Sequence, residues 1–442
     1  MTEIHRTLTV MEGREENSIM VEDLASAARQ RGWDFCQLSS INSDLIARYD
    51  FDSIPLDFVI FRELSNNNYH EVERVMYWLK ANHKICINCD IAGRRISTSD
   101  KHFQQGLFLL DPFLKQYALP TFEAKHYNNV LSYIDGDRVH YPILLKERNG
   151  TAGENITLIN NQSDLEKVQD FSYSLIEQYI RPECDFRVFV VGGVATTIIH
   201  KVGDTNDYGD FESWSGGRQR NLEQNPTLRD RLSEIATRAA AVSKLEYAGI
   251  DILKEADSDN LYLLETNIAA GWQNLSKVIP PVEIPLQIID WLEEISIGRS
   301  LPIETAVTRY LSNHIQFLPS RIQSSINQIK QGNPEAIEPY YKIFDNYPQD
   351  YLYDAGYIFK QLSDAYLDIV NHPNNASNYH HLIEQIRSLP LSWAGNFIGP
   401  KVGTFHDGAI LSAIYLFLLH KIREIWYNNK VNKGTIWKKQ SF

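Results

Sequence analysis

The apolar residues of this chain change their spacing near residue 300. Before that point, short apolar runs alternate with segments whose apolar residues recur every three or four positions, a mixture typical of α/β folds. Beyond it, helical spacing dominates and there is little strand signal. The pattern predicts an α/β part followed by a mostly helical C-terminal domain.

The first hundred residues predict a small α/β domain. Residues 56–61 and 84–87 are apolar runs typical of buried strands, and residues 71–80 between them have helical spacing. Strand, helix and strand in this order predict a parallel pair, because the helical crossover returns the second strand in the same direction. We therefore predict an N-terminal domain over residues 1–98 that contains a small parallel sheet.

The central region predicts strands joined by hairpins and loops. Residues 141–148 and 155–159 are predicted strands on either side of a Gly-containing loop. A second hairpin is predicted around Gly192-Gly193. The other expected elements are a helix capped by residues 97–101 that runs through Leu110, a strand over 175–180, a mobile loop over 207–220, and a helix over 226–245 that begins at Asn225-Pro226.

One more hairpin is predicted at the end of the central region. Residues 249–253 and 261–267 are apolar runs, and the cluster 257–260 between them is typical of a turn. The simplest register is an antiparallel pair centred near Ser258.

This register collects oxygen ligands on one face of the hairpin. Asp251 lies directly opposite Glu265, and the two-residue period of a strand places Asn267 on the same face. Two carboxylates and an amide oxygen together are suited to Mg²⁺. The alternative is a solvated polar edge without a metal, and the strongly apolar neighbouring residues favour the metal site.

Lys146 lies in the apolar strand that precedes the Gly-containing loop. A buried ammonium needs an anionic partner, so Lys146 either meets an anion or points into solvent from an edge strand, and the sequence leaves both open. The loop over residues 149–154 can fold over phosphates through its backbone N–H groups. The Gly-Lys-Ser/Thr ending of a Walker loop is missing from the sequence, so a P-loop is excluded.

Residues 299–442 predict a helical domain packed on the central part, which leaves residues 99–298 as the middle domain. The many aromatic residues of the C-terminal helical region are expected in a core, as aromatics at helical spacing usually are. The candidate helices are residues 303–331, 350–370, 377–388 and 409–427.

Composition and charge exclude several classes of protein. The formal net charge of -13 argues against nonspecific nucleic-acid binding, which requires positive charge to displace counterions. Four cysteines are too few for a disulfide framework in a chain of 442 residues. The longest apolar run, residues 409–419, is too short to span a bilayer, and the acidic N-terminal segment does not fit a signal peptide. We expect a cytoplasmic protein that binds neither nucleic acid nor membranes, with a homo-oligomer left open.

Taken in order, these features resemble the ATP-grasp enzymes, and most closely their RimK-type glutamate-ligase branch. The resemblance runs from about residue 57 to residue 275 and is strongest after residue 141. It implies a two-lobed ATP-grasp core of α+β type between the parallel-sheet domain and the helical domain. It also implies binding of ATP and of Mg²⁺, as one ion or two, with Mn²⁺ as an alternative.

The resemblance assigns roles residue by residue. The pair Asp100-Lys101 matches an Asp-Lys pair that precedes the central domain in that family, which implies that Lys101 and Lys146 bind ATP phosphates. The other implied contacts are the lid residues Gly150, Thr151, Ala152 and Gly153, the adenine-reading hinge Glu177, Gln178, Tyr179 and Ile180, Asp185 near the ribose, and the metal ligands Asp251, Glu265 and Asn267.

The sequence departs from the family at two places. After its final Asn the family commonly has a small residue, Pro and Gly, whereas residues 268–271 lack the proline. RimK-type enzymes carry an Arg and an Asn shortly before a Gly-Gly, and both are missing from residues 211–217. The acceptor therefore need not be glutamate or a protein tail.

Three basic residues are candidate catalytic groups. Residues 211–217 lack the Arg that RimK-type enzymes carry there, and Lys201 and Arg218 are candidates to supply the positive charge of this loop. Arg187 is a candidate for contacting the oxygens of an acyl phosphate. The alternative for Arg187, with similar weight, is a structural ion pair with Asp185 or a neighbour.

The resemblance implies an ATP-dependent carboxylate–amine ligase. In such an enzyme a carboxylate attacks the γ-phosphate to give an acyl phosphate, and an amine then displaces phosphate; the substrates would be small-molecule or peptide carboxylates and amines. Two alternatives remain, an ATP-grasp kinase that phosphorylates a hydroxyl and a non-catalytic nucleotide-binding protein whose helical region carries its role. The acidic loop around Asp204, Asp207, Asp210 and Glu212 disfavours the kinase, and the complete set of metal ligands and lysines weakens the non-catalytic alternative.

Overall fold

The computed structural model describes the chain in separate stretches. These are residues 6–12, 19–39, 57–62, 79, 85–88, 100–148, 156–171, 174–202, 219–243, 245–268, 270–272, 283–300, 308–309, 311–313, 315–337, 355–382 and 405–432. The chain forms two compact units, Met1–Asp290 and Trp291–Phe442. The three-domain division at residues 98 and 298 stays a prediction.

The first unit begins with a four-stranded parallel sheet, which confirms the predicted small parallel sheet. Its strand order is β2-β1-β3-β4, and two of its strands, β3 and β4, were predicted. The predicted helix over residues 71–80 lies outside the described residues except for Leu79. The elements are β1 Thr7–Glu12, α1 Ile19–Gln30, β2 Asp34–Ser39, β3 Phe58–Arg62 and β4 Ile85–Ile87.

A single helix, α2 Lys101–Leu110, leads from this domain into the central part. Its N-cap is Asp100, whose carboxylate accepts hydrogen bonds from the backbone N–H groups of His102 and Phe103, at 3.0 and 3.2 Å. The structure confirms the predicted helix and its start. A 3₁₀ turn, Leu114–Gln116, follows it.

The next layer is a four-stranded antiparallel sheet with the order β5-β8-β6-β7. Its strands and two helices enclose an apolar core that includes Val130, Ile143 and Ile176. The predicted strands on either side of the Gly-containing loop are β6 and β7, and they pair as expected. The elements are β5 Thr121–Ala124, α3 Tyr127–Asp135, β6 Ile143–Glu147, β7 Thr157–Ile159, α4 Gln162–Leu165 and β8 Ser174–Gln178.

A five-stranded antiparallel sheet with the order β11-β10-β9-β12-β13 completes the central part. Both predicted hairpins are confirmed, and the glycines between β9 and β10 have φ angles of 61° and 79°, a region that favours glycine. The predicted helix after Asn225 is also confirmed, although it ends at Val242. The elements are β9 Pro182–Val191, β10 Val194–Val202, β11 Gln219–Leu222, α5 Pro226–Val242, β12 Tyr247–Glu255 and β13 Leu261–Asn267.

The two faces of this sheet have different roles. The even-numbered residues of β9 and β12, such as Val188 and Ile250, pack with α5 in a buried core. The odd-numbered residues of the same strands point the other way, because side chains alternate along a strand. That opposite face carries the charged residues described below. The predicted loop over 207–220 is wrong at its last two residues, which pair with β10 in β11.

Every element that the structure describes beyond residue 283 is helical, in agreement with the sequence prediction. The predicted single helix over 303–331 is wrong: a 3₁₀ turn precedes Pro319, and the residue before a proline disfavours α-helical geometry, so α7 begins at Ser320. The predicted helix at 377–388 begins instead as a 3₁₀ helix, and residues 383–388 lie outside the described residues. The elements are α6 Ile284–Ser300, α7 Ser320–Lys330, α8 Ala355–Asn371 and α9 Phe405–Asn432, with 3₁₀ helices Ile315–Phe317, Pro334–Ile337 and Pro373–Tyr379.

The second unit has its own apolar core. Ile322, Ile326 and Ile329 form the buried stripe of α7, with the four- and three-residue steps of an amphipathic helix. Tyr366 of α8 is fully buried, and its hydroxyl donates to the carbonyl of Asn333 at 3.0 Å. Its ring meets Phe417 of α9 edge-on at 4.8 Å between centroids. Among the residues that the structure describes, no helix is long and apolar enough to cross a bilayer.

Candidate active site

Asp251 and Glu265 face each other across the β12–β13 hairpin, as predicted. Close to the turn the strands pair in a different register, with Ile252 opposite Leu263. Leu264 is therefore the extra residue of a β-bulge in β13. Leu263 and Glu265 are both odd-numbered, but because of the bulge Leu263 lies on the core face of the sheet and Glu265 lies on the opposite face.

The three predicted metal ligands meet on that face. Gly249 pairs with Asn267, two residues beyond the carboxylate pair. The amide nitrogen of Asn267 lies 3.0 Å from Asp251 Oδ2 and 2.9 Å from Glu265 Oε1. The structure therefore brings Asp251, Glu265 and Asn267 within contact distance of each other.

Neighbouring strands supply two cations to the same place. Arg187 of β9 is the register partner of Asp251, and its Nε and Nη2 lie 2.7 and 2.5 Å from the two carboxylate oxygens. Lys201 of β10 is the register partner of Asp185, and its Nζ lies 3.6 Å from Asp185 Oδ1 and 3.5 Å from Asp251 Oδ1. Arg187 thus forms an ion pair with a neighbour, one of the two outcomes left open by the sequence.

A third cation reaches the cluster from α2. Lys101 Nζ lies 3.5 Å from Glu265 Oε2. The three cations are balanced by the three carboxylates of Asp185, Asp251 and Glu265, so the formal charge of these six side chains is zero. These six residues and Asn267 are the carboxylate–cation cluster.

The charges in the cluster hold Asp251 and Arg187 in their ionised forms. Burial acts to raise the pKa of the Asp251 carboxyl, but the charges and hydrogen bonds of Arg187 and Lys201 lower it to about 2. Burial acts to lower the pKa of Arg187, but the charge and hydrogen bonds of Asp251 raise it above its ordinary value. Asp251 therefore offers a carboxylate at neutral pH.

The donor set of this face fits Mg²⁺. Mg²⁺ takes hard oxygen ligands and is commonly held by one or two carboxylates, with phosphate oxygens and water in the other positions. Asp251 and Glu265 supply the carboxylates, and the amide of Asn267 can supply an oxygen. Among the described residues, no group of three or more His, Cys, Asp and Glu side chains could hold a metal ion.

Lys146 lies apart from this cluster, in the four-stranded sheet. Its side chain is buried in β6 and forms a salt bridge with Glu177 of β8, which also accepts a hydrogen bond from Thr121 Oγ1 at 3.2 Å. The structure therefore shows an anionic partner for Lys146 rather than solvent. Glu177 was predicted only as part of the adenine-reading hinge, and its side chain has a second role as the partner of Lys146.

The hinge segment after Glu177 is held by its own side-chain contacts. The amide of Gln178 donates to the carbonyls of His140 and Pro142 and accepts from the N–H of His140, at 3.1, 3.3 and 2.8 Å. These bonds fix the end of β8 against the entry to β6. Tyr179 and Ile180 follow as the connection to β9. The lid residues Gly150, Thr151, Ala152 and Gly153, and Arg218, lie outside the described residues.

Arg148, which the sequence analysis missed, joins the base of the Gly-containing loop to the start of α2. Its guanidinium lies 2.6 Å from Asp100 Oδ2, and it also pairs with Glu123 of β5 at 2.5 Å. The backbone N–H of Lys101 donates to the carbonyl of Arg148 at 3.2 Å. The helix that presents Lys101 is therefore tied to the strand that carries Lys146.

The turn after Asn267 is fixed without the proline that its sequence lacks. Tyr247 donates its hydroxyl to the carbonyl of Ala270 at 2.6 Å, and the Trp272 indole N–H donates to Asp23 of α1 at 2.7 Å. Gly249 lies beneath this turn, where an added Cβ would stand 2.5 Å from the Cβ of Ala270. Glycine is required there by this close approach.

The central part of the chain matches a known domain family. Residues 114–292 match the RimK-like ATP-grasp domain. Curated proteins described as ribosomal protein bS6–L-glutamate ligase, from Salmonella paratyphi B and Salmonella newport, are each 29% identical over 161 residues, which cover 34% of this chain and 50% of the relative. The chain thus spans about half the length of the curated relatives it matches.

Two ATP-grasp ligases are among the solved structures similar to this chain. The ATP-grasp ligase PsnB complexed with a minimal precursor has a TM-score of 0.49 and 16% identity, covering 65% of this chain and 98% of that one. The D-alanine–D-alanine ligase of Bacillus anthracis has a TM-score of 0.47 and 16% identity, covering 66% of this chain and 96% of that one. The domain assignment itself rests on the match over residues 114–292, which includes Lys146 and all three proposed metal ligands but begins after Lys101.

Proposed function

We propose that this chain, in which residues 114–292 form a RimK-like ATP-grasp domain, is an ATP-dependent carboxylate–amine ligase. The observation that carries the proposal is the convergence of Asp251, Glu265 and Asn267 on one face of the hairpin inside the matched domain. The curated relatives are ligases that join L-glutamate to a ribosomal protein, which supports C–N bond formation as the reaction class.

The proposed reaction needs three tasks from the protein: holding the nucleotide, stabilising phosphoryl charge and excluding water. Lys101 and Lys146 offer positive charge to the phosphates, and the loop over residues 149–154 is proposed to cover them. A Mg²⁺ ion held by Asp251, Glu265 and Asn267 would neutralise phosphate charge and orient the γ-phosphoryl group. The hinge Glu177–Ile180 and Asp185 would bind the adenine and ribose ends.

Arg187 and Lys201 are proposed to act on the reacting carboxylate. Both cations already lie against Asp251, on the face where the γ-phosphoryl group would be oriented. Their charge would act on the oxygens of a carboxylate substrate and of its acyl phosphate. Arg218 is proposed as a further cation in the same role.

The proposed products are an amide, ADP and phosphate. A carboxylate oxygen attacks the γ-phosphorus and the bond to ADP breaks. The amine then attacks the acyl carbon, the carbon–oxygen bond to phosphate breaks, and the amine loses a proton to the surrounding solvent or to a base. The substrates are proposed as peptide or small-molecule carboxylates and amines, because the relatives' names give a protein acceptor and an amino acid.

The compartment and the domain borders complete the proposal. Cys36 and Cys184 are thiols rather than disulfides in the structure, which suits the reducing cytoplasm.

Residues 1–98, 99–298 and 299–442 are the proposed N-terminal, ATP-grasp and helical domains.

A substrate panel tests the proposal. Carboxylate and amine pairs are incubated with ATP and Mg²⁺, and nucleotide products and new masses are measured. The proposal expects ADP, phosphate and a condensed product only with both substrates, and a hydroxamate when hydroxylamine replaces the amine. Release of AMP, or a stable phosphorylated alcohol without a hydroxamate, would overturn it in favour of an adenylating enzyme or a kinase. Nucleotide binding without turnover across the panel would support a non-catalytic role.

A further inference from the structure

We propose that Gln104 and Gln105 of α2 are positioning residues that hold the β-bulge of β13 and thereby aim Glu265 at the metal site. The proposal rests on the function proposed above, since it concerns the geometry of one of its metal ligands. Both glutamines are almost fully buried, with 2% and 1% of their surface exposed. Buried amides at this position must find hydrogen-bond partners, and they find them on β13.

Gln104 pairs with Thr266 as a neighbouring strand would. Its Nε2 donates to the Thr266 carbonyl at 3.1 Å, and its Oε1 accepts from the Thr266 N–H at 2.9 Å. β13 is the edge strand of its sheet, and on this side an isolated β-bridge between Ala118 and Leu263 pairs with it, whereas the backbone of Thr266 is bonded by Gln104. Thr266 lies between Glu265 and Asn267, and its backbone is therefore fixed between two proposed metal ligands.

Gln105 binds the bulge itself. Its Nε2 donates to the carbonyls of Leu263 and Leu264 at 2.8 and 3.2 Å, and its Oε1 accepts from the N–H of Leu119 at 2.9 Å. Leu264 is the extra residue that changes the register. The side-chain amide of Gln105 therefore donates to two backbone carbonyls at the bulge, which point in directions that a regular strand would not give them.

The bulge decides which way Glu265 points. If the register near the turn continued without it, Asp251 would face Leu264, and Glu265 would point to the α5 side of the sheet. The same helix that carries the two glutamines also presents Lys101, 3.5 Å from Glu265. Helix α2 therefore sets both the direction of this carboxylate and the cation beside it.

The test measures metal binding rather than turnover. Gln104→Met and Gln105→Met keep side-chain length and remove the amide, and Gln116→Met makes the same change at an exposed glutamine. Mn²⁺ binding to each protein, saturated with a nonhydrolysable ATP analogue, is followed by electron paramagnetic resonance. Each buried variant should bind Mn²⁺ roughly tenfold or more weakly, as loss of groups that orient metal ligands typically does. ATP-analogue affinity without metal, and Mn²⁺ binding by Gln116→Met, should match the parent.

A benchmark variant separates the two proposals. Asp251→Asn removes a proposed ligand and should also weaken Mn²⁺ binding. Parental Mn²⁺ affinity in folded Gln104→Met and Gln105→Met, with weak binding in Asp251→Asn, would overturn the positioning role alone. Parental affinity in Asp251→Asn would overturn the metal site of the proposed function, and the positioning role with it.

Amide hydrogen exchange on the parent protein provides a test that requires no variant to fold. If Gln104 completes the edge of β13, the Thr266 amide should exchange as slowly as the amides of the interior strand β12. Exchange of Thr266 at the rate of an unbonded edge amide would contradict the proposal.

The shorter variants Gln104→Asn and Gln105→Asn keep an amide that cannot reach as far, and should show the same loss of Mn²⁺ affinity if the methionine variants do not fold.

Discussion

Arg187 and Asp251 form a two-point ion pair between adjacent strands, with both guanidinium-to-carboxylate distances at or below 2.7 Å. The pair occupies the carboxylate that the proposed function assigns to the metal. A metal ion held by Asp251 would therefore compete with Arg187 for these oxygens. This competition can be measured by comparing how much Mg²⁺ stabilises the protein with and without Arg187.

Replacing Arg187 with methionine should separate stability from metal binding. The metal-free variant should lose roughly 2–4 kcal/mol of unfolding free energy, because Asp251 is left buried without its main cation. Mg²⁺ should stabilise the variant more than it stabilises the parent, since the ion no longer displaces a cation. Urea unfolding with and without Mg²⁺ measures both effects, and Arg181→Met, at an exposed ion pair, is the control. An equal Mg²⁺ effect on variant and parent would contradict competition at Asp251.

Gly249 and Ala270 should show compensation in a double-mutant cycle. Gly249→Ala should cost about 1–3 kcal/mol, because its new Cβ would stand 2.5 Å from that of Ala270. Ala270→Gly removes the opposing methyl group and should restore most of the loss when combined with it. Denaturant unfolding of the four proteins measures the coupling. Gly106→Ala, in α2 with open space around it, should be neutral or stabilising. Additive effects in the cycle would show that the turn does not press on Gly249.

Lys146 should bind nucleotide through its charge. Lys146→Ala should weaken ATP binding more than Lys146→Arg, because the lost contribution is charge against phosphate. Lys146→Ala should also destabilise the fold, since Glu177 would stay buried without a cation. Calorimetric titration with ATP measures the first effect, with Lys167→Ala at an exposed ion pair as control. Similar ATP affinity in the parent, Lys146→Ala and Lys146→Arg would remove Lys146 from the proposed site.

Tyr379 should make the second unit sensitive to alkaline pH. Burial raises the pKa of its phenol to about 12, together with the hydrogen bond that it donates to Asp368 Oδ2 at 2.8 Å. A pKa above the ordinary value of 10 stabilises the fold below pH 10, and this stabilisation is lost as the pH rises from about 10 through 12. Thermal unfolding of the parent and Tyr379→Phe should therefore converge across that range. Parallel curves for the two proteins would contradict this role.

The hairpin shows how far the sequence could lead. The apolar runs and the turn residues predicted both strands, and the predicted register placed Asp251 opposite Glu265 as the structure does. The bulge at Leu264 was not predictable from residue types, because the glutamines that hold it lie about 160 positions away in the sequence. Long-range hydrogen bonds of this kind leave only a weak signal in the sequence. Here the signal is two glutamines on the same buried stripe of α2 as Phe108.

Other features depended on neighbours that the sequence does not name. Whether Lys146 was buried could not be decided until Glu177 was placed beside it. The predicted helix over 303–331 ignored Pro319, whose restriction of the preceding residue ended the helical pattern. Arg148 was overlooked because both of its acidic partners lie in other elements.

The central claim, ligation through an acyl phosphate, is tested most directly by following a carboxylate oxygen. A carboxylate substrate from the productive pair is labelled with ¹⁸O, and the released phosphate is analysed by mass spectrometry. Because the carboxylate oxygen attacks the γ-phosphorus and leaves with it, the account predicts one labelled oxygen in inorganic phosphate for each amide formed. Label found in AMP, or unlabelled phosphate alongside amide product, would contradict it.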